Sequence, residues 1–146
     1  IDPDKIGVSG TSAGGHLAAS VGTLSPQRPS FMILFYPVIS ADTDKRHRGS
    51  FEQLLGKKHC DTPQSQELSL EKKVDVQTPP TLLFHCDDDK VVPAVNSVLF
   101  YKQLKTYGIK SSLHIYPSGG HGWGMSSCFR YYDDWQKSVL DWLSTL

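Results

Sequence analysis

Ile6-Gly7-Val8-Ser9-Gly10-Thr11-Ser12-Ala13-Gly14-Gly15-His16-Leu17-Ala18-Ala19-Ser20-Val21 is the stretch that decides the fold. Ile6 to Ser9 lacks polar alternation and reads as a short strand buried on both faces. His16 to Val21 is rich in helix formers. Between them, Gly10-Thr11-Ser12-Ala13-Gly14 matches G-x-S-x-G, a pattern that recurs by chance in about one chain of this size in twenty. Context raises its value. A serine displayed on a sharp strand-to-helix turn is crowded by neighbouring backbone, so only small residues fit two positions to either side. The match here directly follows a strand and opens a helix. No G-x-x-x-x-G-K-[ST] is present, which sets aside a phosphate-binding loop.

Working outward, Phe31 to Tyr36 is a continuous apolar run closed by Pro37, and its length favours a strand. Thr81 to Phe84 and Ser112 to Tyr116 read as a third and a fourth strand. Pro93 to Tyr107 carries apolar residues at helical spacing, with Pro93 suited to the first turn and Gly108 to the C-cap. Trp135, Val139, Leu140, Trp142, Leu143 and Leu146 repeat that spacing at the C-terminal end. Strands alternating with helices predict a parallel sheet covered on both faces. Residues 40–78 interrupt the rhythm with a charged excursion, in which short helices are expected over Ser50 to Leu55 and from about Thr62-Pro63. It reads either as a solvated surface excursion or as a cap over a site.

Composition excludes several classes. The 146 residues carry 15 basic and 15 acidic side chains, and 38% are apolar. With a pI near 7.2 there is no broad basic field for nucleic acid or anionic lipid. The longest apolar runs fall far short of the roughly 18 residues of a membrane span. Three cysteines without CxxC spacing argue against a disulfide framework and a thiolate zinc site, and no HExxH or comparable ligand spacing indicates a catalytic metal.

A serine hydroxyl is a poor nucleophile near neutral pH, so it needs a base, and the base needs an orienting carboxylate. The third strand runs into His85-Cys86-Asp87-Asp88-Asp89-Lys90-Val91-Val92-Pro93, and the fourth into Pro117-Ser118-Gly119-Gly120-His121-Gly122-Trp123. Serine, acid and histidine therefore follow in that order, each at the C-terminal end of a strand. Glycines on either side of His121 let its loop bend toward Ser12.

The segments Gly10 to His16, Asp89-x-x-Val92-Pro93 and Gly119-Gly120-His121-Gly122-Trp123 resemble the α/β-hydrolase superfamily. They are most similar to the esterase/lipase group related to bacterial acetylxylan and feruloyl esterases, often labelled xylanase. His47-x-Gly49-Ser50-x-x-x-Leu54-Leu55-Gly56, Asn96-Ser97 and His114 to Pro117 are similar too, so the resemblance covers essentially the whole chain. It implies an α/β fold, a mostly parallel sheet with helices on both faces. It also implies Ser12 as nucleophile, His121 as base, and Asp89, selected over Asp87 and Asp88 by the D-x-x-V-P spacing, as the acid. The group has Gly where Cys86 stands, which implies an altered acid loop. One oxyanion donor is expected at the Ala13 N–H; the second normally comes from an HGGG-type loop, absent from this sequence.

The expected chemistry is serine ester hydrolysis through an acyl-enzyme, on small esters or on acetyl or feruloyl groups of plant polysaccharide, with no cofactor. The alternatives are a serine peptidase of the prolyl-oligopeptidase type and a non-catalytic remnant. A glycosidase would need paired carboxylates across a sugar site, for which these motifs give no reason. Trp123 and Tyr36 are candidates for stacking on a carbohydrate ring, against a competing place in the core. In the resembled fold the strand before Ser12 is central, so the chain is expected to be the C-terminal portion of one domain whose N-terminal strands are missing. That missing part is the expected partner, covering an otherwise exposed edge.

Overall fold

The computed structural model describes residues 2–146. Four strands, β1 (Gly7–Thr11), β2 (Phe31–Phe35), β3 (Thr81–Cys86) and β4 (Ser111–Tyr116), form one sheet in the order β1-β2-β3-β4. All three pairings are parallel, with Gly7 opposite Phe31, Met32 opposite Thr81 and Thr81 opposite Ser111. Helix α1 (Ser12–Leu24) connects β1 to β2, and α4 (Val95–Thr106) connects β3 to β4. Between β2 and β3 lie α2 (Arg48–Leu55), the single turn α3 (Pro63–Gln66) and a short 3-10 turn, Leu70–Lys73; α5 (Tyr132–Leu143) closes the chain.

The strand pleat sorts side chains into two layers. Met32, Leu34 and Leu83 point to one face, where Ala18 and Ala19 of α1, Phe100 and Leu104 of α4, and Leu70 and Val74 of the excursion cover them. Ile33, Phe35, Leu82 and Phe84 point to the other, under Trp135 and Trp142 of α5 and the segment holding Trp123 and Phe129. The crossovers share one face, as parallel connections of a single hand require. Helices thus cover both faces, as the sequence predicts. The excursion has its own small core of Val38, Ala41, Phe51, Cys60 and Val92.

The strand expected to be buried on both faces, Ile6 to Ser9, is different. The observed β1 starts at Gly7, runs to Thr11 and alternates exposed and half-buried residues, and Ile6 is 52% exposed. Among the described residues it lies at one end of the sheet, paired with β2 and covered by α1, whereas β3, held between two neighbours, is buried along its whole length. β3 also runs two residues beyond Phe84, through His85 and Cys86.

α1 is poor in large residues because it sits unusually close to β2. A side chain at Gly22 would meet Met32 Sδ at 2.2 Å, and one at Gly15 would meet Pro37 Cβ at 2.7 Å and Cα at 2.9 Å. Glycine costs about 1 kcal/mol of helix propensity relative to alanine, and close seating offsets it. Gly15→Ala meets backbone that cannot swing away, so α1 must lift. Overpacking of about 1–3 kcal/mol is expected to outweigh the propensity gain. The Gly15→Ala protein should have a lower urea midpoint at unchanged m-value, and an equal or higher midpoint would refute the close-seating account.

Candidate active site

The chain turns from strand to helix without an intervening residue, β1 ending at Thr11 and α1 starting at Ser12. Ser12 pays for that turn with φ of 53°, the left-handed region that costs a non-glycine residue about 1–3 kcal/mol. Its carbonyl accepts from the Val38 N–H at 3.1 Å, which ties the elbow to the chain leaving β2. The crowding falls unevenly. A side chain at Gly10 would approach the Gly14 carbonyl oxygen to 2.2 Å, but one at Gly14 would meet nothing within 4 Å. The requirement for small residues rests on Gly10 and Gly15.

The structure brings Ser12, His121 and Asp89 together across 109 residues of sequence. Ser12 Oγ lies 2.8 Å from His121 Nε2, and His121 Nδ1 lies 2.6 Å from Asp89 Oδ2. A carboxylate only accepts, so Nδ1 carries the proton and Nε2 is free to accept from the serine hydroxyl. Asp89 Oδ1 accepts from the Val91 and Val92 N–H groups, both at 2.9 Å. The Asp89 side chain is fully buried, and that of His121 is 15% exposed.

The three adjacent aspartates have separate places. Asp89 points inward to His121. Asp88 lies at the surface and accepts from the N–H groups of Gly120, at 2.8 Å, and Gly119, at 3.2 Å. Those two bonds hold the Asp88 carboxyl below the usual carboxylate range. Asp88 therefore clamps the loop that carries His121, while Asp87 is exposed. Cys86 packs beneath the same loop, its Sγ donating to the Ser118 carbonyl at 3.4 Å, and burial pushes its thiol up to about 11. A thiol so held is a packing group rather than a nucleophile.

Ala13 is exposed at the first turn of α1, where helix N–H groups have no intrahelical acceptor. An apolar trough of about 730 Å³ opens beside it between α1 and α2, lined by His16, Leu17, Leu24, Val38, Phe51 and Leu54 among others. His16 donates from Nε2 to the Leu68 carbonyl at 3.0 Å and packs edge-on against Phe51, so it binds α1 to the excursion. His47 caps α2 by accepting from the Ser50 N–H.

Of the two places open to Trp123 and Tyr36, a stacking platform and the core, they occupy the core. They are 6% and 3% exposed. Trp123 lies flat on Phe129 with centroids 4.1 Å apart and meets Phe35 edge-on, while Tyr36 packs against Trp123 and His121. Both rings form the wall behind the histidine.

Two further residues shape the site. His85 is fully buried; its Nε2 donates to the Val92 carbonyl at 2.9 Å and its Nδ1 accepts from the Ser97 hydroxyl at 2.7 Å. Burial lowers its pKa, so it is neutral beside Asp89, which lies 3.4 Å from Nε2. Asn96 accepts from the Ile39 and Ser40 N–H groups and donates to the Lys45 and Pro93 carbonyls. It staples the start of α4 to the segment that supports Ser12. A histidine at the end of an apolar strand is the sequence signal of the first; for the second it is the Asn96-Ser97 resemblance alone, because Ile39, Ser40 and Lys45, which it bridges to Pro93, lie more than 50 residues away in sequence.

Comparison with known proteins places this arrangement. The sequence matches the Prolyl oligopeptidase family over residues 1–146, and the chain belongs to that family. It is 39% identical, over its whole length, to an acetylxylan esterase of Xylanibacter ruminicola, of which it spans 32%. It is 35% identical over 84% of its length to endo-1,4-beta-xylanase B of Butyrivibrio fibrisolvens, spanning 21% of that protein. In structure it is similar to an acetyl ester-xyloside bifunctional hydrolase from Caldicellulosiruptor lactoaceticus, at a TM-score of 0.91 and 41% identity, covering 99% of this chain and 58% of that one. The fold is that of the α/β hydrolases. The chain spans about a third or less of the length of the two curated relatives.

The Asp88 clamp makes a testable prediction. A carboxylate with a lowered folded-state pKa contributes above its unfolded pKa, and the contribution is lost as pH falls through the folded value. Asp88→Asn should therefore reduce amide hydrogen-exchange protection at Gly119 and Gly120 at pH 7. The unmodified protein should approach the same protection factors only at pH below the ordinary carboxylate range. Equal protection in the two proteins at pH 7 would exclude the clamp.

Proposed function

We propose that the chain carries the reacting groups of a serine ester hydrolase that works through an acyl-enzyme. The observation that carries this reading is the continuous relay from Ser12 Oγ through His121 to Asp89, at 2.8 and 2.6 Å, on a strained strand-to-helix turn. His121 Nε2 takes the proton as Ser12 Oγ attacks the ester carbonyl. Asp89 holds the imidazole in the required tautomer and stabilises the imidazolium that forms. The proton then passes to the departing alcohol, and water, activated by the same nitrogen, releases the acid. The Ala13 N–H supplies one oxyanion donor; a glycine-rich loop elsewhere in the active protein supplies the second.

The substrates proposed are small esters and the acetyl or feruloyl groups of plant polysaccharide. The named activity of the Xylanibacter ruminicola relative supports this, as does the apolar trough beside Ala13. The excursion acts here as a cap, since α2 forms one wall of that trough. Membership of the Prolyl oligopeptidase family favours a second reading, cleavage of peptide bonds after proline by the same three residues.

In the full-length protein, Ser12→Ala should lower kcat for p-nitrophenyl acetate by 10³-fold or more, on the order seen for loss of a catalytic serine, and abolish fluorophosphonate labelling. Full turnover by the variant would overturn the reading, and an unlabelled Ser12 in the unmodified protein would favour a non-catalytic remnant. Faster cleavage of Xaa-Pro amides than of acyl esters would select the peptidase.

A further inference from the structure

Two described residues other than glycine have positive φ, Ser12 at 53° and Tyr36 at 37°. They occupy equivalent places, each immediately after or at the end of neighbouring strands, β1 and β2. The turn at Ser12 displays a hydroxyl. The turn at Tyr36 sends a bulky ring into a conformation that such residues rarely adopt, and strain of this kind persists only where surrounding contacts over-determine it.

The Tyr36 N–H donates to the Phe84 carbonyl at 2.7 Å, and its side-chain contacts lead to the histidine and its loop. The Tyr36 ring lies 4.7 Å from the His121 ring, at an interplanar angle of 62°, and 5.0 Å from Trp123 at 70°. Its hydroxyl oxygen accepts from the Gly124 N–H at 2.8 Å, three residues beyond His121. Gly124 itself has φ of 45° and Gly122 of 82°, so the loop here follows a path that helix or strand contacts do not dictate. One side chain thus touches the imidazole and bonds the backbone that carries it.

We propose that Tyr36 is a positioning residue for His121. Its ring limits rotation of the imidazole, and its hydroxyl fixes the height of the loop, so that Nε2 stays within hydrogen-bond reach of Ser12. This inference rests on the reading of Ser12, His121 and Asp89 as the reacting groups. Tyr36 touches no reacting bond; it acts through the histidine. Because misplacement of a base by a fraction of its reach is costly, its removal should reduce turnover rather than substrate binding.

The test uses the full-length protein with p-nitrophenyl acetate. Tyr36→Phe keeps the ring and deletes the acceptor for Gly124; kcat should fall about 10-fold, the scale of one hydrogen bond, with KM changed less than 2-fold. Tyr36→Leu deletes the ring as well and should fall about 100-fold. Tyr116→Phe is the control, because the Tyr116 hydroxyl is buried without a hydrogen-bond partner in the same aromatic cluster. It should keep the original kcat. An unchanged kcat in Tyr36→Phe, or a loss confined to KM, would overturn the proposal. If Tyr36 variants do not fold, amide exchange in the unmodified protein decides: Gly124 must be protected as strongly as Gly120, and an unprotected Gly124 overturns it. Failure of the catalytic reading is separate, being announced by Ser12→Ala retaining turnover.

Discussion

The carboxylate of Asp89 is buried to the last atom, and everything around it follows from supplying that group with donors. A buried acceptor without partners costs far more than a hydrogen bond returns. Two donors come from the chain itself, the Val91 and Val92 N–H groups, and they force the segment after β3 to curl before Pro93 and α4. The third has to come from another strand's loop, and it is His121. The need to satisfy one acid therefore shapes the turn into α4 and recruits the imidazole in the same tautomer that leaves its other nitrogen facing a hydroxyl. Asn96, a turn further on, carries the constraint across to the backbone supporting Ser12.

The sheet order sets the remaining difficulty. Ser12 follows β1 at one end of the described sheet, and His121 follows β4 at the other. Three inter-strand steps of about 4.8 Å separate them by roughly 14 Å. The loop after β4 must reach back across the tips of β3 and β2, and it does so on footings provided there: Asp88 and Cys86 after and at the end of β3, Tyr36 at the end of β2, and the stacked pair of Trp123 and Phe129 beneath. Gly119, where an added Cβ would meet the Phe129 ring at 2.4 Å, lets the loop lie flat on this base.

Much of this was legible in the sequence because apolar runs and glycine-rich turns are local signals. The second, third and fourth strands and the helices between them follow from periodicity, and the order of Ser12, Asp89 and His121 follows from what trails each strand. The misreadings have tertiary causes. Ile6 to Val8 has the composition of a buried strand, but burial depends on neighbours, and among the described residues β1 pairs with β2 alone. Asp88 and Asp89, by contrast, are told apart by the D-x-x-V-P spacing, and in the fold one turns to solvent and glycine amides, the other to the interior. For Tyr36 and Trp123 the sequence leaves a sugar platform and a core position both open, and the fold buries the two rings. Exposure of a ring is settled by what lies on top of it, which composition does not record.

The excursion between β2 and β3 has two parts with different obligations. Leu70 and Val74 belong to the layer that seals the sheet, whereas Phe51, Cys60 and Ala41 pack with Val38 and Val92 in a core of their own. The outer part, residues 42–67, meets the strands through few of its own side chains. The wall of the trough beside Ala13 therefore stands on a core separate from the layer that holds the strands, so that the room beside the serine and the alignment of the three polar side chains are set by different sets of contacts.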